Sequence, residues 1–250
     1  MPPLGLHMTI ARELAGGLAS PLIDSDRGAY YLGATTPDIR VLTQWERERT
    51  HFFDLHNFDE QDGVARLFEA SPALRDAHAV NAATAAFTAG YISHLVMDES
   101  YIVQIYRPTF GEGSVLAGEV LANVMDRLLQ FELDRRDRED FEKVAEIQRA
   151  LAESTVEVTV DFIARETLED WRKVSVDALA RPPDWSRFGR IARRHLNAAG
   201  IEADEDVAKF MDDLPSLLAR TFECVGAERI QEYLESAKVK ARQAMKEYLS

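Results

Sequence analysis

Cysteine is almost absent from this sequence. Cys224 stands alone among 250 residues, so no disulfide can close within the chain and no thiolate cluster can hold zinc. A lone cysteine suits a reducing compartment. Long apolar runs are missing too: no window approaches the ~18 unbroken apolar residues of a membrane span. The opening MPPLGLHMTI lacks the basic stretch and apolar run of a secretory leader. Together these absences predict a cytoplasmic protein that does not insert into membranes. Positive charge is scarce as well, with 29 Lys and Arg against 43 Asp and Glu and a net charge of −14. That balance argues against non-specific binding to nucleic acid or anionic lipid. It leaves room for a small uncharged or zwitterionic substrate. No Pro/Gly-rich linker, repeat or low-complexity segment divides the chain, so residues 1–250 are expected to form one domain. The sequence carries no signal of oligomeric state.

What is present is a 46% hydrophobic composition arranged with helical periodicity. The expected class is all-α, a multi-helix bundle. Leu4–Leu18 reads as a first helix, with Leu4, Ile10, Ala11, Leu14 and Leu18 on its apolar side. Asp24-Ser25-Asp26 caps a second helix from Arg27 that stops at Gly33. A loop fixed by Pro37 follows. Helices are expected from Asp62, from Ser71-Pro72, and through Ala77–Tyr106, where Arg107-Pro108 ends the run. In the second half, Val115–Leu133 reads as one long amphipathic helix. Phe141–Leu179 reads as helix with a break near Ser154; Val156, Val158 and Val160 alternate there as in a strand, but their flanks favour helix. After Arg181-Pro182-Pro183-Asp184, helices are expected over Ser186–Ala199, Asp204–Phe222 and Ala227–Leu249.

The most informative stretch is Phe87–Ile105, FTAGYISHLVMDESYIVQI. Phe87, Tyr91, Leu95, Ile102 and Ile105 form a stripe that should face a core. His94 and Asp98 lie four residues apart within it, so they share one helix face. A buried aspartate is costly unless something pairs with it. A divalent metal would do so, with the imidazole as a second ligand. A hydrogen-bonded His–Asp pair would do so equally well, and the pair alone does not decide between them. His7 sits on the apolar side of the first helix, where a core histidine bonded to a carbonyl is the plainer reading. Asp38 follows Pro37, a common setting for an Asx turn. His51 and His56 are five residues apart and diverge by about 140° on a helix; His51 is the one expected at a metal, and His56 is expected outside it. His78 and His195 read as surface residues. Tyr91 and Tyr101 flank the His94/Asp98 face and read as packing residues.

Taken as a set, Leu6-His7, Gly33-Ala34-Thr35-Thr36-Pro37-Asp38-Ile39, Thr50-His51 and Gly90-Tyr91-Ile92-Ser93-His94-Leu95-Val96-Met97-Asp98 resemble the zinc-dependent phospholipase C and P1-type nuclease superfamily. The resemblance covers residues 1 to about 106; the half from about 111 to 250 shows only helical character. It implies an all-α fold with a metal held by Asp38, His51, His94 and Asp98. It implies also that Asp98 bridges to a second ion held by His7. Family members complete that second site with a leading Trp, whereas this chain begins Met1-Pro2-Pro3. They hold a third ion with two later histidines and a glutamate, whereas only His195 follows Asp98 here. One ion is therefore expected, or two, but not three: zinc, with iron or manganese as alternatives.

The function so implied is metal-dependent hydrolysis of a phosphate ester, in the manner of phospholipase C, on a small-molecule or phosphoester substrate. Asp38 would ligate the ion or take a proton from the attacking water, and His7 would hold a second ion or orient substrate. A metalloenzyme turned to cyclisation or elimination, and a non-catalytic metal-binding helical protein, are the rival readings. An HD-type phosphohydrolase is disfavoured because no His-Asp dipeptide occurs.

Overall fold

The computed structural model describes residues 3–55, 57–59 and 61–250, with Ile191 described by its backbone alone. Among the described residues there are helices and turns and no strand. The axis of the molecule is the central helix, Ala82–Tyr101. Asn81 starts it, its side chain accepting from Thr84 N at 2.7 Å. Seventeen of its twenty residues are buried, so it is not the one-faced amphipathic helix that its apolar stripe suggests. It is covered on one side by Arg27–Gly33 and on another by the last helix, Ala227–Leu249. The first helix, Leu4–Leu18, also packs against it.

Two glycines set the closest of these approaches. A Cβ on Gly33 would lie 1.9 Å from the Phe87 carbonyl oxygen, and one on Gly90 would lie 1.9 Å from that of Tyr30. Each helix thus places a glycine against the other's backbone, which brings the turn after Gly33 down onto the central helix. That turn is a short 3-10 helix, Thr36–Ile39, and Asp38 lies on it. The central helix does not simply stop. It widens into a π-helical turn, Ile102–Tyr106, before Arg107–Thr109 completes it.

The second half departs from its expected outline in several places. Residues 112–121 are turns, and the helix begins only at Ala122 and runs to Asp137. Gly118 adopts φ +82, a left-handed geometry that breaks helical continuity. Phe141–Glu153 and Arg165–Ala180 are helical, but residues 154–164 are neither helix nor strand. There tertiary contacts prevail over the helical flanks. Thr159 N donates to Thr84 Oγ1 at 2.9 Å, and Asn81 Nδ2 donates to Glu157 O at 3.0 Å. These bonds lay the segment along the start of the central helix, with Val156 at φ +48 and its side chain buried. The expected Ser186–Ala199 helix is interrupted around Ala192, and Asp204–Phe222 is interrupted at Asp213. Phe188, Ala192, Leu196 and Leu214 form a small separate core with Val124, Leu128 and Phe131. Among the described residues no helix is long and apolar enough to cross a membrane.

Candidate metal centre

Four elements converge on one buried point. The first helix brings His7, the 3-10 turn brings Asp38, a single helical turn, Glu48–His51, brings His51, and the central helix brings His94 and Asp98. His51 Nε2 lies 3.5 Å from Asp38 Oδ1 and 3.3 Å from Asp98 Oδ2. His94 Nε2 lies 3.9 Å from Asp98 Oδ2, and His7 Nε2 lies 3.4 Å from Asp98 Oδ1. Donors around a tetrahedral ion with bonds of about 2.0–2.1 Å stand roughly 3.3 Å apart, so the spacing suits such an ion. Asp38, His51 and His94 each bring a ligand atom within 4.8 Å of the other two, and His7, His94 and Asp98 do the same.

The ring orientations follow from the hydrogen bonds behind them. His94 Nδ1 is 2.8 Å from the Ala34 carbonyl oxygen. A carbonyl can only accept, so that nitrogen carries the proton and Nε2 faces the centre bare. His51 Nδ1 lies 3.3 Å from Thr50 Oγ1, which itself donates to Pro37 O at 2.8 Å. Thr50 therefore accepts from Nδ1–H, and the Nε2 of His51 is bare in the same way. Tyr91 OH donates to Thr50 O, bracing the turn that carries His51.

The result is a set of buried polar atoms without hydrogen-bond partners: Nε2 of His7, His51 and His94, and Oδ1 of Asp98. Such atoms cost free energy unless something binds them. Nε2 of His51 and of His94 and Oδ1 of Asp98 bring no proton of their own, and a cation among them would satisfy all three.

The electrostatics hold the set in its ligating form. Burial, and then the neighbouring His7, presses His94 down to about 3, so its ring is neutral near pH 7. Burial alone would raise the Asp38 carboxyl, but the nearness of His51 and the charges around it prevail and hold it at about 2. Burial would raise Asp98 too, yet the closeness of His51 and His7, with the charge of Arg47, holds it well below the usual carboxylate range.

Arg47 is the residue that sequence reading did not single out. Its guanidinium is buried and donates from Nη2 to Asp98 Oδ2 at 2.7 Å, while Nη1 donates to Phe53 O at 3.4 Å. The available signal was its place four residues before His51, on the same side of a turn. His56 lies outside the described residues, as do Met1 and Pro2. His78 is exposed, as expected. His195 is half-buried rather than exposed, and the groups acting on it are Arg127 and Asp126, not those of the centre. Tyr101 donates to Asp126 Oδ1 at 2.7 Å and takes no part in the cluster.

The second half of the chain holds the donors in place. Asp134 Oδ1 accepts from Leu6 N at 2.7 Å, one residue before His7. Trp171 Nε1 donates to Thr35 Oγ1 at 3.2 Å, beside the Ala34 carbonyl that orients His94. Tyr233, on the last helix, meets Tyr101 edge-on with ring centroids 5.5 Å apart. Burial, followed by the charge of Asp98, pushes the Tyr233 hydroxyl well up.

Residues 6–101 match the family model of zinc dependent phospholipase C. The span includes His7, Asp38, Arg47, His51, His94 and Asp98, and it ends on the last residue of the central helix. No curated protein and no solved structure matches the chain.

Proposed function

We propose, taking that match as the premise, that the protein is a zinc-dependent hydrolase of phosphate esters resembling phospholipase C. The observation that carries the reading is the convergence of three buried imidazole nitrogens and one carboxylate oxygen, all without hydrogen-bond partners, in one cluster. Asp38, His51, His94 and Asp98 would hold the ion; nitrogen and oxygen donors without sulfur suit zinc, iron or manganese. A bound zinc ion supplies Lewis acidity and lowers the pKa of a bound water to roughly 7.

The remaining steps belong to the chain's own residues. The Asp38 side chain is 11% exposed, whereas those of His7, His51, His94 and Asp98 are 2% exposed or less. Asp38 is therefore the donor nearest to solvent. A carboxylate held at about 2 is a weak proton acceptor at neutral pH. Its role is then to ligate and to orient the attacking water by accepting a hydrogen bond. The Ala34 carbonyl and Thr50 keep His94 and His51 in the tautomers that ligation needs. Burial of the cluster excludes bulk water and strengthens every charge interaction at the phosphorus.

Elemental analysis of protein purified without added metal, followed by a screen of phosphomonoesters, phosphodiesters and phosphatidylcholine, tests the reading. Zinc near one per chain and chelator-sensitive release of phosphate or of a phosphorylated headgroup is the expected result. A chain that neither contains nor takes up zinc, manganese or iron would overturn it. Stoichiometric zinc with no turnover of any phosphoester would leave a binding protein instead.

A further inference from the structure

The two donor triads at the centre share one member. Asp38–His51–His94 and His7–His94–Asp98 both draw on His94, whose Nδ1 is already committed to Ala34 O. A single bare nitrogen binds a single ion. The triads cannot both be filled: once Asp38, His51 and His94 take one ion, a second keeps only His7 and Asp98.

Charge points the same way. Among the described residues the centre holds two carboxylates, Asp38 and Asp98, and one guanidinium, Arg47, all buried. The imidazoles ligate only when neutral. Without metal the formal charge is one negative. One divalent ion would turn it to one positive, and a second would turn it to three positive, where little water can screen the charge.

We propose that Arg47 is a built-in cation that limits this centre to one divalent ion. Its Nη2 sits 2.7 Å from Oδ2 of Asp98, on the carboxylate that would otherwise be shared between two ions. Arg47 acts as a positioning residue: it touches neither substrate nor the reacting atoms, and it fixes the ion count through Asp98. The inference rests on the metal reading above.

The test is a zinc titration of chelator-stripped protein, read as ions per chain by elemental analysis after gel filtration. Melting temperature and the visible spectrum of the cobalt-substituted protein are recorded in parallel. The parent is expected to bind one ion. Arg47→Gln keeps a hydrogen-bond donor but drops the charge, and is expected to bind two. Arg47→Lys restores the charge and is expected to return to one, with the parent's cobalt spectrum. An Arg47→Gln chain that unfolds without metal but refolds on added zinc with two ions meets the expectation; one that stays unfolded in excess zinc overturns it. A parent that binds two ions overturns this inference and leaves the metal reading intact, as does Arg47→Gln held at one. A parent that binds none overturns both.

Discussion

His7 and His94 stack face to face, with ring centroids 3.7 Å apart and planes inclined by 11°. One ring comes from the first helix and the other from the central helix, so the stack is also the joint between those helices. Burial, and then the neighbouring His7, keep the His94 ring neutral near pH 7. Ligation needs it neutral too. The same contact thus supports both the packing and the chemistry.

From this follows a pH dependence of the metal-free protein. His94 has an unfolded value of 6.5 and a folded value of about 3. Between the two, the unfolded chain binds more protons, so its contribution is full above about 6.5 and is lost as pH falls toward the folded value. Lowering the pH to about 5 should cost roughly 2 kcal/mol. Asp38 adds almost nothing between pH 7.5 and 5, since both its values lie below 5. Urea midpoints of chelator-treated protein at pH 7.5 and 5 measure the effect. His94→Asn, which can still donate to Ala34 O, should flatten it; an equally steep profile in that variant would contradict the assignment.

Replacing Asp98 with Asn should abolish metal binding and activity together. It should also destabilise the metal-free protein, by about 3–5 kcal/mol, because the buried Arg47 guanidinium loses the carboxylate it donates to at 2.7 Å. His195→Ala, far from the donors, should alter neither. Metal per chain and melting temperature, with and without chelator, decide the matter. Retention of metal by Asp98→Asn and its loss by His195→Ala would move the site to the other half of the chain.

Asp134→Ala leaves Leu6 N buried without its acceptor and should cost about 1–3 kcal/mol. Because Leu6 precedes His7, the loss should also weaken zinc affinity, read by competition with a chromophoric chelator. Asp134→Asn keeps an oxygen acceptor and should recover most of both. Affinity untouched in Asp134→Ala would separate the anchor from the centre.

Gly90→Ala would drive a Cβ to within 1.9 Å of the Tyr30 carbonyl oxygen, which is backbone and cannot rotate aside. The two helices must part, at a cost of about 1–3 kcal/mol or more. The Ala34–His94 hydrogen bond should loosen with them. Denaturation midpoint and metal content are the measurements, and a variant within about 0.5 kcal/mol of the parent would show that the helices yield easily.

The His94/Asp98 pair was legible because four-residue spacing on an apolar stretch has few cheap explanations. His7, Asp38 and His51 were legible only with the motif order that accompanies them, since each alone fits a bland role. Arg47 was not legible: it lies in Glu46-Arg47-Glu48-Arg49, where its three charged neighbours are exposed and its own burial depends on Asp98, distant in sequence. Most helices of the first half were legible from periodicity and caps, with Asp26, Asp62 and Asn81 all accepting at helix starts. Residues 154–164 misled because valines between helices read as helix, while the bonds that hold the segment come from Thr84 and Asn81. Residues 115–121 misled because nothing local announces that Gly118 takes positive φ.

Asp134 and Trp171 give the centre a property that its donors do not reveal. Every donor lies within the first hundred residues, yet the backbone that aims His7 and the turn that aims His94 are tied down by the later helices. The ligand set is therefore not portable. Grafting His7, Asp38, His51, His94 and Asp98 onto another scaffold would carry the chemistry across without the buttress that aligns it. An engineer would have to transplant the rear wall of the molecule along with its reactive face.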